Sequence, residues 1–143
     1  MKTISIFLTA AMSLLTVADA LAMSMQEFDK APLPGKCMEQ SSALSQLLAA
    51  RDKGLPLEDA LTISIQHEGG ELLPSQTIRE IYKYQWLADG GHVGYFLWTC
   101  KAKSLGIVVL PLATVASELQ ACFKKGVDDP CGGILRNHVL GFD

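Results

Sequence analysis

His67, Glu68 and Glu71 lie in the run HEGGE, the nearest approach in this sequence to a catalytic metal motif. A zinc-protease helix reads H-E-x-x-H: two histidines one turn apart bind the metal, and the glutamate acts as general base. Position 71 is glutamate where the second histidine is required. The two glycines more simply end a helix, and His67 near that C-terminus complements the dipole. No G-x-S-x-G elbow frames a serine, so a hydrolase would have to assemble its triad from scattered residues. His92 and His138 each stand alone. The glycines form no phosphate loop, and there is no C-x-x-C redox pair or C-x-x-C-H haem site. The sequence therefore predicts no catalytic residue, no metal and no cofactor.

A second cluster, ARDKGLPLEDAL at residues 50–61, carries five charges. Their order follows helix ends. Arg51 and Lys53 fall in a last turn, Glu58 and Asp59 in a first turn, and each sign meets the opposite end of a helix dipole. Gly54 turns the chain, and Leu55 can fold back on Ala50 as the apolar contact that accompanies such a cap. Only Asp52 lacks an electrostatic reason. The stretch predicts a helix–helix junction, not a charged site. The aromatics Tyr82, Tyr84, Trp86, Tyr95, Phe96 and Trp98 are a denser signal. Some must be core. Tyr84, Trp86, Tyr95 and Trp98 are the candidate partner-binding residues, because Trp and Tyr are enriched at binding hot spots. Tyr84 and Trp86 fall off the Ile78/Ile81/Tyr82/Gln85 face, which favours exposure.

The elements that must position these residues read as helices. The opening MKTISIFLTAAMSLLTVADALA has a basic start, a short apolar run and an A-x-A end, which predicts a signal peptide over 1–22, cleaved after Ala22. The run is shorter than a spanning helix needs, so no transmembrane segment is expected after cleavage. Residues 23–36 read as an irregular lead-in, and 37–143 as a single helical domain. A first helix is predicted over 37–53, ended by Gly54. A second starts at Pro56 and ends at Gly69-Gly70. A third opens at Pro74 and ends at Gly90-Gly91. A fourth, His92 to Lys103, is apolar nearly all round and is expected to be central. GIVVLP, 106–111, could be a strand or a buried connection. A fifth helix follows Pro111 to Gly126, VDDPC and Gly132-Gly133 read as turns, and Ile134 onward could form a short terminal helix.

Cys37, Cys100, Cys122 and Cys131 read as two disulfides in an exported chain. Short loops make successive helices antiparallel. That order places the start of the first helix beside the end of the fourth, and the end of the fifth beside the segment that follows it. The expected pairs are Cys37–Cys100 and Cys122–Cys131. The net charge of −3 comes with no basic stripe, so nucleic acid is not an expected partner.

The pattern C…LAARDKGLPLEDAL…IREIY…C, through Cys37, Arg51, Asp52, Gly54, Ile81, Tyr82 and Cys100, resembles a loose group of small exported Cys-paired helical proteins of proteobacteria. The group is largely of unknown function. The resemblance implies an envelope location and a helical fold, and no activity. Together these readings predict an all-α protein, a small antiparallel bundle of about five helices stapled by two disulfides, periplasmic or secreted. The leading functional expectation is a non-enzymatic module that binds another protein, of inhibitor, toxin-immunity or envelope-chaperone type. The alternative is a small-ligand or lipid carrier with an apolar cavity between helices, and a hydrolase comes third.

Overall fold

The computed structural model describes residues 23–67, 70–125 and 128–141, with the backbone alone for 128–130. Its helices are α1 (Met25–Lys30), α2 (Gly35–Asp52), α3 (Leu57–Ile65), α4 (Ser75–Lys83), α5 (Asp89–Ser104), α6 (Ala116–Lys124) and α7 (Asp128–Leu140). A 3-10 turn, Leu112–Thr114, precedes α6. No strand occurs among the described residues, and the protein is all-α. The leader read over 1–22 lies outside the described residues.

The other helices are arranged about α5. Its Tyr95 and Ala102 join one core with Phe28, Leu119, Leu135 and Val139, from α1, α6 and α7. Phe96, the next residue after Tyr95, joins a second core with Leu44, Leu61, Ile78 and Ile81, from α2, α3 and α4. A helix between two cores must be apolar on nearly every side. Cys37, in the first turn of α2, is bonded to Cys100 near the end of α5, with Cα atoms 5.9 Å apart. At the opposite ends of these helices, Arg51 Nη2 lies 3.0 Å from Asp89 Oδ1. Pins at both ends fix α2 and α5 antiparallel. The Cys122–Cys131 bond, with Cα atoms 5.7 Å apart, ties α6 to α7. Both pairings expected from helix order are present.

Several boundaries differ from the sequence reading. The lead-in contains α1, started by a capping box in which Ser24 and Glu27 satisfy each other's backbone amides. Its Phe28 is fully buried, which holds the segment to the core. Gly90 and Gly91 do not end α4 but lie in the first turn of α5. A Cβ at Gly91 would sit 2.5 Å from Leu87 Cδ1, so a close approach calls for the glycine, not a helix stop. Ile107–Leu110 forms neither a strand nor a buried connection: Val108 is 89% and Leu110 52% exposed. Asp128, Pro130, Gly132 and Gly133 are all helical, where turns were expected. Pro130 is the third residue of α7, where its missing N–H would be unpaired anyway. The stripe Cys131, Leu135 and Val139 is buried at i, i+4 and i+8, and that packing overrides the low helix propensity of the glycines.

The end of α4 shows how local chemistry sets the frame. Its last carbonyls have no intrahelical donor. Arg51 Nη1 donates to the Ile81 carbonyl at 2.8 Å, Gln85 Nε2 to that of Tyr82 at 3.0 Å, and His92 Nε2 lies 3.0 Å from that of Tyr84. Side chains thus cap α4 at Lys83, well before the glycines. Arg51 also holds Asp52 at 2.7 Å, which gives Asp52 its reason. The turn after α2 is a Schellman motif, with Gly54 at φ 97° and bonds from Gly54 N to Arg51 O and from Leu55 N to Ala50 O. Tyr82 Oη donates to the Leu55 carbonyl at 2.6 Å. Arg51, Asp52, Gly54, Ile81 and Tyr82 therefore meet in one bracket between α2 and α4.

Candidate functional site

On α5, His92, Tyr95, Phe96, Thr99 and Lys103 recur at i, i+3, i+4, i+7 and i+11, so they share one face. On α4, Gln76, Thr77, Glu80 and Ile81 form the facing stripe. Between them, bounded by Val109 to Pro111, lies a hollow of about 310 Å³. A second hollow of about 430 Å³ shares Pro74, Thr77, Phe96, Thr99 and Lys103 with it and adds Lys36 and Gln40 of α2. The shared walls make one cleft of small-ligand size.

The strap 107–111 is pinned over this cleft by its own carbonyl. Leu110 O accepts from Tyr95 Oη at 3.3 Å and lies 3.1 Å from His138 Nε2. His92 is spent on the end of α4, and burial lowers its pKa, with the Tyr84 carbonyl opposing. Both histidines that stood alone in the sequence thus hold backbone carbonyls. Among the described residues no histidine is hydrogen-bonded to a carboxylate, so the cluster a hydrolase requires is not assembled there. Of the HEGGE run, Glu71 accepts from the Ser75 amide and hydroxyl at 2.8 and 2.6 Å and caps α4, while Glu68 lies outside the described residues.

Three groups give the cleft its chemistry. The Thr99 hydroxyl oxygen is buried and makes no hydrogen bond of regular geometry, and its polar neighbour is the Tyr95 hydroxyl one turn away, which it helps to hold. Burial, reinforced by the Glu80 charge and opposed by a hydrogen bond with Thr99, pushes the Tyr95 hydroxyl up to about 12. Burial also raises the Glu80 carboxyl, opposed by hydrogen bonds from Gln76 and the Leu112 amide and by the Lys103 and Lys83 charges.

The Glu80 shift has a sign that can be measured. A carboxyl with a raised folded-state pKa binds its proton more tightly in the folded chain. Its charged form lowers stability at neutral pH, and that loss disappears as pH falls through the raised pKa to below the ordinary value of 4.5. Glu80→Gln is expected to melt higher than the parent near pH ~7, the difference shrinking as pH falls to about 4.5. Thermal unfolding followed by circular dichroism across that range checks this. A difference that is absent at neutral pH, or grows on acidification, contradicts it.

The structure separates the four candidate aromatics. Tyr84 and Tyr95 are each only 7% exposed and belong to the core, so they offer almost no surface to a partner. Tyr84 left the α4 stripe because it is the C-cap, not because it faces solvent. Trp86 and Trp98 are half-buried. Trp86 lies 6.0 Å from Tyr84 and 6.4 Å from Phe123, ring centre to ring centre. Trp98 and Phe123 line a separate hollow of about 310 Å³, walled by Gly90, Gly91, Gly94 and Leu135. Sequence reasoning missed Lys36, Glu80, Thr99 and Lys103. The available signal was the polar pair Thr99 and Lys103, one turn apart just after the apolar run from Val93 to Trp98.

No helix among the described residues is long and apolar enough to cross a membrane. No protein-family model matches this chain, and no curated protein or solved structure matches it.

Proposed function

We propose that this chain is an exported, non-enzymatic binding module that takes a small molecule into the cleft between α2, α4 and α5. The observation that carries this reading is the cleft itself, two hollows of about 310 and 430 Å³ that share the wall Thr77, Phe96, Thr99 and Lys103. A ligand there would meet apolar walls with a few polar groups at their rim, the usual make-up of a small-molecule site. The two disulfides support an oxidising compartment such as the periplasm or the exterior. Amide spectra of the isotope-labelled, disulfide-bonded chain, recorded against a library of small organic molecules, test the reading. Shifts are expected to cluster at residues 76–81, 95–103 and 107–111. Binders that shift only other regions, or none at all, would sink it.

A second reading keeps the partner a protein and rests on the half-buried Trp98 beside Phe123. Recovery of a specific periplasmic partner by the parent, and its loss with Trp86→Ala and Trp98→Ala, would favour that reading. An unchanged recovery would count against it.

A further inference from the structure

We propose that the cleft selects an amphipathic organic anion: an acid group between Lys36 and Lys103, with an apolar body over Phe96 toward Leu110. This rests on the small-ligand reading above. Lys36 and Lys103 both line the outer hollow, and neither is ion-paired with a carboxylate among the described residues. The carboxylate at this end, Glu71, is already engaged by Ser75. The outer hollow therefore holds two cations against one committed anion, with Lys103 also acting at longer range on Glu80 of the inner hollow. It also adjoins the starts of α2 and α4, through Lys36 and Pro74, where helix amides add positive potential.

The inner hollow is different in kind. Ile81, Phe96, Val109 and Leu110 give it apolar walls, and its acidic group, Glu80, faces any ligand from α4. An anionic head would be repelled from Glu80 and attracted toward Lys36, which fixes the orientation. Cations place the head and burial of the tail adds affinity, the usual division of labour in such pockets.

Octanoate, octanol and inorganic phosphate, titrated into the disulfide-bonded chain by calorimetry and amide spectra, separate the possibilities. Octanoate is expected to bind at least about tenfold more tightly than octanol, as a charge-assisted pair should. Lys36→Gln and Lys103→Gln are each expected to bring octanoate about tenfold closer to octanol, by weakening octanoate far more than octanol. Both lysines are exposed, and the spectra of the variants report folding directly. Octanol binding as tightly as octanoate overturns the anion inference and leaves the small-ligand reading standing. So does failure of octanoate to bind while cationic or neutral library members shift the cleft. Phosphate binding as tightly as octanoate overturns the role of the apolar body. If no compound of any class shifts the cleft, the small-ligand reading falls as well.

Discussion

Replacing Cys37 and Cys100 together by alanine is expected to destabilise the protein by about 4 kcal/mol. The bond closes a loop of 63 residues, and a cross-link over a loop that long restricts the unfolded chain strongly. Cys122–Cys131 spans only 9, so the Cys122→Ala/Cys131→Ala pair is expected to lose about 3 kcal/mol. A domain of this size has a net stability of only about 5–15 kcal/mol, so the longer bond is a large fraction of the whole. The melting temperature should fall by roughly 15 °C for Cys37→Ala/Cys100→Ala. Urea unfolding of the two double variants beside the parent checks the values and their order. The short-loop variant proving the less stable of the two would contradict the loop-length argument. The position of each bond adds a second expectation. Cys37–Cys100 pins the outer end of the cleft, where Lys36 and Lys103 sit, whereas Cys122–Cys131 lies on α6 and α7. Losing the first bond should loosen amide protection around Lys36 and Thr99, and losing the second should not.

What was legible in the sequence is what repeats or has a fixed chemical grammar. The helices over 37–53 and from 92 appear near those bounds because apolar spacing and a glycine cap specify them locally. The disulfide pairing followed from helix order alone, since antiparallel packing decides which ends meet. Errors arose where a tertiary contact overrides a local rule. Gly90 and Gly91 looked like a stop, but the stop is made by Arg51, Gln85 and His92 reaching the α4 carbonyls, two of them from other helices. The glycines of α7 looked like a turn, but the buried stripe of Cys131, Leu135 and Val139 holds them helical. Tyr84 looked exposed because it broke the stripe of α4, yet it is the capping residue that turns back into the core. The cleft was out of reach for the same reason. Lys36, Glu80, Thr99 and Lys103 come from three helices, and no spacing along the chain announces that they meet.

Arg51→Ala is expected to cost about 3 kcal/mol, far more than a charged residue at a helix end normally would. The sequence offered Arg51 only a dipole role, worth about 0.3–1 kcal/mol. Its side chain is in fact only 9% exposed. Its guanidinium donates to the Ile81 carbonyl, to Asp52 and to Asp89, so it joins α2, α4 and the start of α5. The two ion pairs are the smaller part: Asp52 and Asp89 are 54% and 49% exposed, and such pairs contribute about 0–1 kcal/mol each. The larger part is the Ile81 carbonyl, left without a donor, at roughly 1–3 kcal/mol, together with lost packing of the side-chain stem. This partition sets an order that urea unfolding can read. Asp52→Ala and Asp89→Ala should each cost under about 1 kcal/mol. Arg51→Lys should recover only part of the loss, because a compact ammonium cannot reproduce the guanidinium's forked contacts with all three acceptors. If Asp89→Ala proves as damaging as Arg51→Ala, the ion pair and not the carbonyl is the main term. Because Arg51 caps α4 through Ile81, and Ile81 lines the inner hollow, Arg51→Ala should also speed amide exchange at the end of α4 before the core of α5 opens.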